Sequence, residues 1–173
     1  VLGDAVAQAM DEVIVDLFSS ATTDVGTSAG ELTIDQILKA AATLRNKSVP
    51  MDEVVAVVNP LAAYNLKKTL LNSGTNPSAN DLVNTAARNY FLGRVAGVDI
   101  YESASTDIDG TPSTINAVFH KGAIGMVMKR DLRIATQRDE SIRGFEVVAS
   151  AAFGAAILDD NKIVKIASDA SID

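Results

Sequence analysis

Apolar residues recur at three- and four-residue spacing over residues 1–19, where Leu2, Ala5, Val6, Ala9, Met10, Val13, Ile14 and Leu17 form one stripe. Asp4, Asp11, Glu12 and Asp16 fall off that stripe. The period predicts an amphipathic helix. No capping residue precedes it, so the expectation is that the helix continues upstream in a longer parent protein. A Ser/Thr/Gly-rich stretch from Ser19 to Gly30 reads as a loop. The next helix has an explicit start: Thr33 with Gln36 makes a capping box, and Leu32 is placed to staple onto Ile37. Ile34, Ile37, Leu38, Ala41 and Leu44 supply its apolar face, with Pro50 beyond its end.

At Val54 the period changes. Val54 to Val58 is a short, nearly pure Val run, which predicts a strand buried on both faces. Asn59-Pro60 then pairs an N-cap residue with Pro at the first helical position. Leu61, Tyr64, Leu66, Leu70 and Leu71 continue that helix. Asn72 to Asn80 reads as loop, and Asp81 to Arg88 as a short helix. Gly93 to Tyr101 reads as a turn leading into a strand with Val98 and Ile100 on one face. Thr106 to Ser113 is a polar loop, and Ala117 to His120 a short buried strand. An apolar small-residue segment, Ala123 to Met128, runs into a basic strand, Lys129 to Thr136. A charged turn, Gln137 to Arg143, leads to a long apolar strand ending at Phe153-Gly154. Asp159-Asp160-Asn161 makes the turn before a closing strand at Ile163 to Ile166.

Composition narrows the class. A chain of 173 residues buries roughly 70% of its unfolded surface and needs no disulfide or metal staple. It is 47% hydrophobic but only 5% aromatic, and it lacks Cys, which excludes thiolate metal sites and thiol catalysis. No apolar run approaches the ~18 residues that would cross a bilayer. The first residues lack the basic region of a secretory signal, and a start at Val1 reads as a fragment or a processed product.

The net charge of −7 argues against a dedicated nucleic-acid-binding domain, but it is unevenly spread. Residues 1–38 hold seven acids (Asp4, Asp11, Glu12, Asp16, Asp24, Glu31, Asp35) and no Lys or Arg. Residues 121–143 hold six bases (Lys121, Lys129, Arg130, Arg133, Arg138, Arg143) against three acids (Asp131, Asp139, Glu140). Two solvated faces account for this; so does charge complementarity between neighbouring copies, which sets register more than affinity.

The search for catalytic chemistry comes back empty. His120 is the single histidine, beside Lys121 and with no G-x-S-x-G elbow to serve, and reads as a strand-end surface residue. Asp107-Ile-Asp109-Gly110 opens like a calcium loop, but Gly110 comes too early and Asn116 stands where the loop needs Glu. Asp159-Asp160 and Asp139-Glu140 are adjacent in turns, whereas general acid–base work holds two carboxylates apart in a cleft. Gly93 to Gly97 and Gly122 to Gly125 match no phosphate loop, and fit close backbone approach or positive φ instead. No catalytic, cofactor-binding or metal-ligating residue is assigned.

Four segments in order carry a resemblance. Leu2-Gly-Asp-Ala-Val-Ala-Gln-Ala-Met-Asp11 looks like the end of a long spine helix, and Val54-Val-Ala-Val-Val-Asn-Pro60 like the strand and helix opening an axial domain. Gly93-Arg-Val-Ala-Gly97-Val-Asp-Ile100 looks like a shared turn and strand, and Ala123-Ile-Gly-Met-Val with Arg130-Asp-Leu-Arg-Ile leads to the strand ending Phe153-Gly154. In this order the chain resembles the tailed-bacteriophage major capsid proteins of the Hong Kong 97-type fold, an α+β class. The resemblance implies a peripheral-domain portion at 1–50, an axial domain at 51–125, and return strands shared between them at 126–173. The N-terminal arm and extended loop of that family have no counterpart here. No crosslinking residue is therefore carried over, and residues 1–173 are not expected to assemble by themselves.

What the resemblance implies is mechanical and non-enzymatic: a coat protein assembling in the host cytoplasm and residing in the virion. Copies would form pentamers and hexamers of an icosahedral shell around double-stranded DNA, contacted non-specifically, with no cofactor and no membrane. Scaffold, portal or decoration proteins are further partners of such shells. Two alternatives stay open: an encapsulin-like nanocompartment shell, and a small α+β hydrolase or ligand-binding domain.

Overall fold

The Val-rich run sits at the centre of the molecule. A computed structural model describes residues 2–72, 91–106, 108–109, 113–141 and 143–171. In chain order its elements are α1 (Leu2–Asp16), α2 (Ile34–Asn46), β1 (Val54–Val58), α3 (Pro60–Asn72), β2 (Phe91–Val95), β3 (Val98–Glu102) and β4 (Ile108–Asp109). β5 (Ser113–His120), β6 (Ile124–Asp139), β7 (Gly144–Ile157) and β8 (Ile163–Asp169) complete them. Short 3-10 turns lie at Leu17–Ser20, Lys121–Ala123 and Asp160–Lys162. The expected helix at 81–88, and the loop beyond Asn72, fall outside the described residues.

Strands β2, β3, β1 and β5 are neighbours in that order; β1 is parallel to β3 and antiparallel to β5. Strand β5 is the hub. Its Ala117–His120 half pairs β1, its Ser113–Thr114 end pairs β4, and β8 runs along Ser113–Phe119. The strand is twice as long as its apolar signal because Thr114 and Asn116 also point into the core. Asn116 satisfies itself completely there. Its Oδ1 accepts from the Asn59 backbone N–H at 2.8 Å, and its Nδ2 donates to Ser168 Oγ at 2.8 Å, Thr114 Oγ1 at 3.2 Å and the Ile166 carbonyl at 3.3 Å. Asn59 in turn accepts from the Leu61 N–H at 2.9 Å, so the cap of α3 is anchored to β5 and β8. A buried polar cluster with every member paired favours one arrangement over its competitors.

The sheet is covered unequally. Val54, Ala56, Val58, Val98, Ile100, Val118, Val164 and Ile166 lie under Ile37, Ala40, Ala41 and Leu44 of α2 and Ala62, Ala63 and Leu66 of α3. On the opposite face Phe18, from the turn after α1, and Val15 pack with Ala117, Ile163 and the half-buried Val57 and Phe119. Because that second layer is a single turn of chain, Val55 and Val57 are half-buried, and burial of β1 on both faces is only partly realised. The Phe18 and Phe119 rings, 5.3 Å apart and tilted, fill this contact.

Local signals set the remaining connections. Both bonds of the Thr33–Gln36 capping box form. Ala96 and Gly97 have φ of 53° and 90°, the doubly positive turn that joins two antiparallel strands, so the predicted turn has a strand on each side rather than one. Arg45 fixes this turn by donating from Nη2 to the Ala96 carbonyl at 2.8 Å. The Ser19–Gly30 segment is more than a loop. Lys165 exchanges backbone hydrogen bonds with Thr23 and Val25 at 2.9 Å each, and Asp169 donates to the Gly30 carbonyl at 2.7 Å, so the segment lines the outer edge of β8. Gly26 is required within it: φ is +117°, and a Cβ would lie 2.6 Å from the Ala167 carbonyl oxygen.

Ile37 and Leu38 share the apolar side of α2 in the sequence, yet Ile37 is fully buried and Leu38 is 43% exposed. Ile37→Ala is expected to cost about 2–5 kcal/mol by urea unfolding, and Leu38→Ala to stay within about 0.5 kcal/mol. Equal losses at both positions would contradict the placement of α2.

Candidate functional site

Beyond the sheet the chain extends a ribbon. β6 and β7 pair antiparallel from Ile124↔Ile157 to Asp139↔Gly144. At roughly 3.3 Å per residue this hairpin is about 45 Å long. The expected charged turn is shorter than the sequence suggested, because strand pairing persists to Asp139 and only Glu140–Arg143 reverses the chain. Arg143 supplies the reversal with φ of 50°.

α1 packs along β7. Ala149, Ala151, Phe153, Ala155 and Ile157 are half-buried, whereas Ser150, Gly154 and Ala156 between them are exposed. The run of alanines on the covered face suits close approach of a helix. On α1 itself Val6, Met10, Val13 and Ile14 are half-buried, as the periodicity predicted, and so is Leu17 in the turn after it, but Leu2, Ala5 and Ala9 of the same stripe are exposed. Val15, off the predicted stripe, is the buried residue of α1, because the helix end tucks under the sheet beside Phe18. At 1.5 Å per residue the described part of α1 runs about 22 Å beside the ribbon. Among the ribbon's described residues Ile134 is 59% exposed, Phe145 75% and Val147 44%. On the other register Val127 is 73% exposed. A continuous apolar exposure of this kind marks an interaction surface.

The charges follow the same geography. Asp4, Asp11, Glu12 and Asp16 line exposed positions of α1, and Lys129, Arg130 and Arg133 are exposed on β6. β6 is bulged between Met128 and Arg130 and between Arg130 and Arg133, a common device on a strand with an unpaired edge. Elsewhere charge is paired locally: Lys39 with Asp35 at 2.7 Å, Arg138 with Glu140 at 3.0 Å, and Lys165 with Asp24 at 3.9 Å.

Ribbon and sheet meet at a joint built from two 3-10 turns. The Ala123 carbonyl accepts from the Leu158 N–H at 2.8 Å and the Asp159 N–H at 3.3 Å. Each turn carries its own cap. His120 Nδ1 accepts from the Gly122 N–H at 3.0 Å, and Asp159 Oδ1 from the Asn161 N–H at 3.1 Å. Asp160 accepts from both the hydroxyl and the N–H of Thr22, tying in the strand that leaves α1. Lys162 and the Asn161 N–H hold the Asp159 carboxyl below the usual carboxylate range. The Thr22 hydroxyl and N–H do the same for Asp160. Gly125 permits close approach here: a Cβ would stand 2.6 Å from Leu158 Cδ1.

The candidate chemical residues thus become turn and joint components. His120 and Asp159 cap turns; Asp160 clasps Thr22; Asp109 pairs with Ser113 through the backbone; Glu140 pairs with Arg138. Asp107 and Gly110 fall outside the described residues. Asn116, the residue standing where a calcium loop needs Glu, is committed to the core network. That network escaped the sequence reading; its only signal was Thr114, Asn116 and Ser168 at alternating positions beside apolar strand residues. Among the described residues no group of three or more His, Cys, Asp or Glu is placed to hold a metal ion. Among the same residues no helix is long and apolar enough to cross a membrane.

A twisted sheet under two helices, joined at one corner to a helix-backed ribbon, is the α+β architecture of the Hong Kong 97-type coat proteins. The chain belongs to the phage capsid protein family, whose sequence profile matches residues 5–169. Solved structures share the fold. One from Mycobacterium phage Che8 superposes with a TM-score of 0.76 at 22% identity, covering 95% of this chain and 60% of that one. The capsid of Cyanophage P-SCSP1u gives 0.69 at 16% identity, covering 98% and 64%. The SrpI encapsulin complex of Synechococcus elongatus PCC 7942 gives 0.69 at 11% identity, covering 97% and 63%. The chain therefore spans under two thirds of the length of these structures. No curated protein sequence matches it.

The lowered Asp159 and Asp160 carboxyls stabilise the joint when ionised. With the folded pKa below the unfolded one, this contribution is complete above about pH 4 and fades as pH falls through the folded values. Asp160→Asn should therefore flatten the fall of stability with pH below about 4, read as the urea midpoint at successive pH values. An unchanged slope would show that the Thr22 clasp carries no linkage.

Proposed function

We propose that this chain is the structural subunit of an icosahedral viral capsid, self-assembling into pentamers and hexamers that enclose double-stranded DNA. The observation that carries this reading is the match of the phage capsid family to residues 5–169, on a fold whose long ribbon bears exposed apolar side chains such as Phe145 and Ile134. Exposed apolar side chains grouped on one element mark a surface that something else covers. The role is structural and non-enzymatic, and its seat is the virion shell, assembled in the host cytoplasm. Residues 1–50 would belong to the peripheral domain, 51–125 to the axial domain around the capsomer axis, and 126–173 to strands shared by both. Scaffold, portal or decoration proteins fit as further partners.

DNA contact in this reading is weak and non-specific. A chain of net charge −7 repels phosphate overall, and tight binding would need many Lys and Arg contacts with a steep salt dependence. A second reading, an encapsulin-like compartment shell, is favoured only by the shared fold with the SrpI complex.

The full-length protein, expressed alone, should give closed uniform shells or ring-shaped capsomers in negative-stain electron microscopy. A monodisperse monomer across salt and crowding conditions would overturn the proposal. Nucleic acid inside the shells supports the capsid; particles enclosing a co-purifying protein instead favour the compartment.

A further inference from the structure

The unpartnered edge of β6 and the outward face of α1 carry opposite charges on opposite flanks of the same ribbon. Among the described residues β6 pairs β7 alone, and α1 packs along β7. The β6 edge is thus the flank away from the helix. Lys129, Arg130 and Arg133 are exposed there against a single acid, Asp131. None of the three bases makes an ion pair with a described residue. On α1, at about 100° per residue, Glu12 points away from the half-buried Val6, Met10, Val13 and Ile14, and Asp11 is exposed beside it. Gln8 Nε2 donates to Glu12 Oε1 at 2.9 Å, a bond from a neutral amide that leaves the charge of Glu12 uncompensated.

The geometry points to a specific mating, resting on the shell reading above: the acidic face of α1 in one copy docks on the basic, bulged β6 edge of the next. The occupant is a second copy of this chain, and the contact is heterologous. A two-fold pairing of either flank with itself would set like charges together, whereas head-to-tail addition sets acid on base at each step. Exposed Val127 and Leu132 flank the bases and give the contact an apolar component beside its charge. Lys and Arg on a free strand edge also deter pairing with stray strands. That guard duty alone requires no matching acids on the far flank.

Charge reversal tests it in the full-length protein. Asp11→Lys with Glu12→Lys, and separately Lys129→Glu with Arg130→Glu, should each raise the concentration for half-assembly about tenfold or more, measured by sedimentation velocity. Combining all four substitutions in one chain should restore assembly, since every interface again joins opposite charges. Mixing the two singly reversed proteins should restore rings of even number only, because alternation around an odd ring leaves one mismatched contact. Thermal melts of each variant should stay near that of the unaltered protein, since all four residues are exposed. For the unaltered protein, an ionic strength near 1 M, where the Debye length is about 3 Å, should raise the same midpoint. Assembly untouched by either reversal, or no rescue in the folded four-fold variant, overturns the pairing and leaves the shell reading standing. An unaltered protein that forms no particles overturns both.

Discussion

A two-stranded ribbon has no interior, and this governs the rest of the molecule. Ladder hydrogen bonds align β6 with β7, but a lone hairpin is at best marginally stable in water, since neither face is sealed from solvent. The chain lays α1 along one face over an alanine-rich track, and roots both strands in the sheet through Ala123 and the turns beside it. Apolar side chains such as Phe145 and Ile134 remain exposed on the ribbon, and on the proposed shell reading other copies would cover them.

The sheet lobe shows the contrary economy. Its core closes within one chain, on one face by two helices and on the other by a single turn carrying Phe18. Strand β5 holds it together, paired along both edges and fastened internally by Asn116. That asparagine ties a helix cap, the hub strand and the last strand into one bonded cluster, so the start of α3 is set by the register of β5 and β8.

Much of this was legible in the sequence. The capping box at Thr33, the Asn59-Pro60 helix start and the Val98/Ile100 alternation announce themselves through local chemistry, and the structure keeps each one. The segments that escaped are those decided by tertiary partners. Ser19 to Gly30 looks like loop because its residues are polar, yet its backbone finds β8. Ser113 to Asn116 looks unlike a strand because its inward residues are polar, and only the network around Asn116 makes them at home in a core. Leu38 and Val15 exchange the burial that periodicity assigns them, since a stripe says which side is apolar but not how far the neighbouring surface extends. The exposed, charge-divided ribbon had no counterpart in the sequence pattern, because which charges share a flank is set by the pairing of β6 with β7 and the packing of α1.

The joint has a mechanical consequence. Among the described residues the backbone passes between sheet and ribbon within one cluster: the turn after α1 through Thr22, the turn at Lys121–Ala123, and the turn at Asp160–Lys162. A ribbon about 45 Å long turned there by 5° would move its tip by about 4 Å. On the shell reading proposed above, one chain would in that way meet neighbours at several angles with its core unchanged, and the surface it paves would curve more tightly in one place than in another.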